Sequence, residues 1–115
     1  MGCDCAMNCA GILTPEIKKV ISESPFLALN TMSKDGQPHL IVVGKAKEIR
    51  DDDALVFGVY KMVKTRRNLS ETGVMQVVAA SVKSREEAHG YRLSGRAVAE
   101  DNEVLFKVEK ADILL

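Results

Sequence analysis

Tryptophan is absent from this chain and aromatic residues are few, two Tyr and three Phe. With so little π surface, and no interleaving of aromatic with basic residues, a base-stacking platform for nucleic acid is excluded. Charge of one sign is missing as well: 16 Lys and Arg are offset by 16 Asp and Glu. No broad field draws a polyanion, so any anion recognition must be local. No apolar run approaches the roughly 20 residues that a membrane-spanning helix needs. The first residues also lack the basic-then-apolar pattern of a signal peptide, so a cytoplasmic location is expected. Cysteine is confined to one end, at Cys3, Cys5 and Cys9. An odd count of close neighbours excludes a disulfide framework. Zinc and iron–sulfur sites usually take four ligands, and neither His39 nor His89 is near in sequence. Residues 1–11 therefore read as a flexible, thiol-bearing tail, with Cys3, Cys5 and Cys9 an incomplete metal set that a partner chain would have to finish.

What the chain does have is enough apolar material for one core: 115 residues, 46% of them hydrophobic, assigned to a single domain over residues 12–115. Thr14 followed by Pro15 and Glu16 is a helix start, a side-chain cap and then proline at the first helical position. Ile17, Val20 and Ile21 fall on one face of that helix, and Pro25 ends it. Phe26 to Met32 is apolar on both faces, as in a central or covered strand. Ser33-Lys-Asp-Gly36 supplies a turn, and His39 to Val43 returns antiparallel. Lys45 to Arg50 alternates like a strand leaving the core. Asp51 to Asp53 reads as a solvated turn, because consecutive acids point apart and lack the spacing of a calcium loop.

The most informative stretch follows. Ala54-Leu-Val-Phe-Gly-Val-Tyr60 is a strand that runs directly into Lys61-Met-Val-Lys-Thr-Arg-Arg-Asn-Leu69, a basic helix start ended near Gly73. Helix starts leave N–H groups without intrahelical partners and favour anions, and Lys64, Thr65 and Arg66 add charge and donors there. These residues alone leave two readings open, a phosphate site and a solvated charged helix. Val74 to Val82 and Tyr91 to Ala99 are further strands, separated by a polar loop over residues 83–90. Asp101 is expected to cap a third helix with Val104, Leu105 and Val108 on one side, and Ala111 to Leu115 to begin a sixth strand. Many antiparallel strands with few short helices favour a small closed barrel over an open sheet with exposed edges.

Three pieces in this order resemble one family. Lys64-Thr65 with Asn68-Leu69, the hairpin Ser33-Lys-Asp-Gly-Gln-Pro-His39 with its strands, and Gly95-Arg-Ala97 in the strand Tyr91 to Ala99 are similar to the pyridoxamine 5′-phosphate oxidase-like, FMN-binding split barrels. The likeness covers residues 12–100. It implies a mainly β, antiparallel split barrel with short peripheral helices, a homodimer, and bound FMN acting in electron transfer or a small oxidoreductase. It further implies that Lys64, Thr65 and Arg66 hold the phosphate, with Asn68 bracing the turn. The strand Phe57-Gly58-Val59-Tyr60 and the segment Val42-Val43-Gly44 would flank the isoalloxazine. Gly58 suits either close approach of the cofactor or a bulge.

The chain departs from the family in two places. Val42 and Val43 stand where small FMN proteins often carry polar side chains, so donors are missing from that wall. The C-terminal strand segment and the Arg and Trp features of true pyridoxamine phosphate oxidases are also missing, which argues against that activity. No nucleophile–base set is evident: Ser81, Ser94, His39 and His89 are scattered, and the two histidines read as surface residues. A redox partner or substrate is not specified by the sequence. A heme- or deazaflavin-binding barrel and a non-enzymatic binding module remain rival readings.

Overall fold

The computed structural model describes residues 11–58 and 62–115. Helix α1 (Pro15–Glu23) begins as the sequence requires. The Thr14 hydroxyl accepts a hydrogen bond from the Ile17 N–H at 3.2 Å, and Ile17, Val20 and Ile21 are buried. A cap of this kind is worth about 1 kcal/mol. Ser24, fully buried beyond the last turn, donates through Oγ to the Val20 carbonyl and accepts from the Ala80 N–H. That pair of bonds fixes the end of the helix on the sheet.

The strands are β1 (Leu27–Met32), β2 (Pro38–Val43), β3 (Glu48–Ile49), β4 (Ala54–Gly58), β5 (Val74–Val82), β6 (Ala88–Glu100) and β7 (Glu103–Ile113), with α2 (Val63–Glu71) between β4 and β5. All are antiparallel neighbours in one sheet of order β2-β1-β5-β6-β7-β4-β3. This is an antiparallel split-barrel architecture with two short peripheral helices. Strand β1 lies between β2 and β5, which explains its apolar character on both faces. Leu27 and Leu29 point into the core and are fully buried, while Ala28 and Asn30 are half-buried on the other side. Phe57, Met75, Val77, Leu93, Val104 and Phe106 complete the core with the apolar face of α1.

The expected third helix is a strand. Val104, Phe106 and Val108 are buried at every second position while Leu105 and Lys107 face outward, the period of two that a strand follows. Val104, Leu105 and Val108 can also be placed on one helical stripe, and that coincidence misleads. Tertiary pairing decides: β7 is hydrogen-bonded on both sides, to β6 and to β4. Asp101 is no helix cap; with φ 51° it opens a two-residue turn in which Glu100 and Glu103 pair. The separate strand expected from Ala111 is the end of β7, and β6 begins at Ala88 rather than Tyr91, so the last three residues of the expected polar loop are strand. Of the strand expected over residues 45–50, Glu48 and Ile49 alone are paired.

Between Ser94 and Gly95 the register of β6 on β7 shifts. A Cβ at position 95 would lie 1.9 Å from the Lys107 carbonyl oxygen, so no side chain fits there. The three acids of the turn before β4 are used structurally. Asp53, at φ 60°, accepts the Leu13 N–H through Oδ1 at 2.9 Å, Asp51 pairs with Lys18, and Asp52 pairs with Arg50. No helix of the described residues is long and apolar enough to cross a membrane.

Candidate functional site

Helix α2 starts without a side-chain cap. Met62 occupies the N-cap position at φ −89°, ψ 51°, and the first turn holds no acidic residue. Arg66 is the first residue whose N–H bonds back along the helix, to Met62 O at 2.9 Å, so the N–H groups of Val63, Lys64 and Thr65 have no partner within it. Three cations, Lys64, Arg66 and Arg67, share the helix with one acid, Glu71. Among the described residues, no acidic side chain meets the end carrying the positive dipole, which favours an anion.

Two buried contacts hold this helix in place. Asn68 is buried and its Nδ2 donates to Thr31 Oγ1 of β1 at 3.1 Å. At the other end, the Thr72 hydroxyl lies 2.9 Å from Met32 O and 3.1 Å from Asn68 O, within donating range of both. Gly73, at φ 71°, then turns the chain into β5, a conformation that L side chains rarely adopt. Leu69 packs into the core from the same face as Thr65 and Asn68.

The start of α2 and strand β2 enclose a cleft of about 390 Å³ lined by His39, Ile41, Val42, Val43, Met62, Val63, Lys64 and Thr65. Four expected site residues meet here: Val42, Val43, Lys64 and Thr65. Thr65 is 1% exposed, and its Oγ1 is buried without a hydrogen-bond partner among the described residues. Buried hydroxyls are nearly always satisfied, so an orphan at a cationic helix start marks a place for an acceptor to arrive. On the opposite wall Ile41, Val42 and Val43 offer no side-chain donor.

Other expected residues are placed differently. Arg66 lines a separate groove on the far side of α2, with Arg67. Asn68 lies beneath the helix in its bond to Thr31. Phe57 is 1% exposed with its side chain in the core, so it can meet a ligand through its backbone alone. Gly58 pairs with Glu103 in regular register, without a bulge, and open space lies where its Cβ would be. Gly44 is exposed just beyond β2, also facing open space. Val59 and Tyr60 lie outside the described residues, as do Cys3, Cys5 and Cys9. Among the described residues, no group of three or more His, Cys, Asp or Glu side chains could hold a metal ion.

His39 belongs to the cleft, although the sequence suggested a surface position. It is half-buried, as are Ile41 and Val43, while Leu40 and Val42 alternate with them as exposed residues. Period two in β2 puts His39 on the inward side, and that alternation was the available signal.

The model for the pyridoxamine 5′-phosphate oxidase family matches residues 13–111. This chain belongs to that family. No curated protein matches the sequence. Among solved structures, HupZ of Group A Streptococcus aligns at a TM-score of 0.72 and 21% identity, over 88% of this chain and 93% of that one. An FMN-binding protein from Syntrophomonas wolfei subsp. wolfei aligns at 0.69 and 18%, over 84% and 82%. HutZ, the heme storage protein of Vibrio cholerae, aligns at 0.60 and 14%, over 90% and 95%. At these identities the likeness carries the fold alone.

Proposed function

We propose that this protein is a small cytoplasmic FMN-binding flavoprotein, an electron carrier or oxidoreductase that holds its cofactor at the interface of a homodimer. The observation that carries the proposal is the orphaned Thr65 hydroxyl beside Lys64 at an uncapped helix start, facing an apolar wall. A phosphate ester fits these donors. Lys64 would neutralise it, while the Thr65 hydroxyl and the N–H groups of Val63, Lys64 and Thr65, which have no partner among the described residues, would donate to its oxygens. Ile41, Val42 and Val43 would exclude water from the apolar body of the ring system. Bound FMN supplies one- or two-electron transfer, and the chain contributes position, access and local charge.

Because Val42 and Val43 offer no donors, polar atoms of the cofactor on that side must be met by backbone groups or by a second copy. Leu40 and Val42, 66% and 60% exposed on β2, form an apolar surface that a second copy would cover. His39 favours one rival specifically, since an imidazole lining this cleft could ligate a heme iron.

Absorption spectroscopy of the purified protein separates the two. Paired bands of oxidised flavin, or their perturbation when FMN is titrated in, are expected; a heme band that disappears in His39→Ala supports the rival. Lys64→Ala should weaken FMN binding at least tenfold, about 1.4 kcal/mol, with an unchanged melting curve. Unaltered affinity removes Lys64 from the site.

A further inference from the structure

We infer that the groove on the opposite side of α2 is a second ligand site, which takes an amphipathic carboxylate: a single anionic head on an apolar body. This groove encloses about 760 Å³ between α2 and the end of β6, lined by Met62, Val63, Arg66, Arg67, Leu69, Ser70 and residues 97–99. Its size falls within the range of about 300–1,000 Å³ typical of small-molecule sites.

Two kinds of surface meet in it. One is cationic: Arg66 and Arg67 are exposed, and among the described residues neither guanidinium has a carboxylate within ion-pair distance. Glu71, the one acid of α2, accepts instead from the Lys34 N–H. The other is apolar: Val63 is 71% and Val98 54% exposed, and both line the groove together with Leu69, Ala97 and Ala99. Exposed valines taken singly are ordinary, and so are arginines on a helix. Their convergence in one concave surface is the distinguishing feature. An inorganic anion would leave the valines wet, and a neutral apolar molecule would leave the guanidiniums uncompensated. Arginine also presents paired N–H groups in the geometry a carboxylate accepts.

The groove needs no cofactor to be complete, so it stands independently of the flavin proposal. Met62 and Val63 line both this groove and the cleft at β2. A ligand here therefore touches the ridge that walls the candidate cofactor site.

Titration of the full-length protein with octanoate, followed by amide NMR, tests the inference. Saturable shifts are expected at residues 66–70 and 97–99, with 1-octanol binding at least tenfold more weakly. Arg66→Gln/Arg67→Gln should weaken octanoate at least tenfold at an unchanged melting temperature. Val98→Glu, which sets a competing carboxylate beside the arginines, should do the same while both guanidiniums remain. Equal binding of octanol and octanoate, shifts confined to other surfaces, or full affinity in the double variant would each overturn it. FMN binding is measured on the same samples. Retained FMN binding with no octanoate response rejects the groove alone, and the converse rejects the flavin site alone.

Discussion

Asn68 and Thr31, both buried, are joined by a 3.1 Å hydrogen bond that ties α2 to β1 beneath the candidate cofactor cleft. Thr31 is also the register partner of His39 on β2. One residue of β1 thus touches the helix that forms one wall and the strand that forms the other. The spacing of the two walls is referenced to a single strand.

Removing the donor should therefore loosen both fold and site. Asn68→Ala leaves the Thr31 hydroxyl buried without its partner and is expected to cost about 2 kcal/mol. In a denaturation cycle with Thr31→Val, the two losses should fall short of adding by about 1 kcal/mol. Strict additivity would show that the bond does not hold the helix.

Thr65 gives the opposite sign for stability and for binding. Replacing a buried, unpartnered hydroxyl with the isosteric Thr65→Val should stabilise the cofactor-free protein by about 1 kcal/mol, because an unsatisfied group is removed. The same change should weaken FMN binding. Thermal melts with and without FMN read both effects; a variant that is less stable without FMN would mean that the hydroxyl serves the fold.

Leu40 and Val42 decide the oligomeric proposal. Leu40→Asp/Val42→Asp places two charges on an exposed strand face without disturbing the core, so the chain should fold. Light scattering should report a dimer for the parent protein and a monomer for the variant, with FMN affinity reduced at least tenfold. A parent protein that is monomeric in the presence of FMN would refute the interface.

Tyr91 supplies a pH signature unrelated to the site. Its hydroxyl donates to Glu16 Oε1 at 2.8 Å, and this bond to a carboxylate holds the phenol above its ordinary value near 10, with burial adding to the effect. Since the folded value is raised, the contribution to stability is fully present below about pH 10 and is lost as pH rises through the folded value. Tyr91→Phe should be less stable than the parent near neutrality, and the difference should vanish in strong alkali. A difference independent of pH would exclude the bond as its origin.

Much of this molecule is legible in the order of its residues. The capped helix at Thr14, the hairpin around Gly36 and the succession of strand β4 and helix α2 each have local signals, in capping, turn chemistry and period. The strand β7 was hidden because its apolar residues satisfy two periods at once, and pairing with β4 and β6 is not encoded locally. At the candidate site, the helix start singles out Lys64 and Thr65. Arg66 is adjacent to Thr65 in sequence and so reads as a ligand of the same anion, yet successive helical positions diverge by about 100° and Arg66 lines the other groove. His39 is harder to read, because a solitary imidazole near a turn looks solvent-bound until its strand neighbours are counted.

The missing side chain at position 95 has a wider consequence. Up to Arg96, β6 is paired with β5; from Arg96 onward it runs alongside the part of β7 that pairs with β4. A strand that serves two halves of a sheet has to change course, and the register shift that leaves Glu109 of β7 unpaired opposite Gly95 lets it do so. The β2 cleft belongs to the first half, and the groove at residues 97–99 to the second. How far apart two ligands could sit on this protein is accordingly written into its main chain, where surface variation cannot reach it.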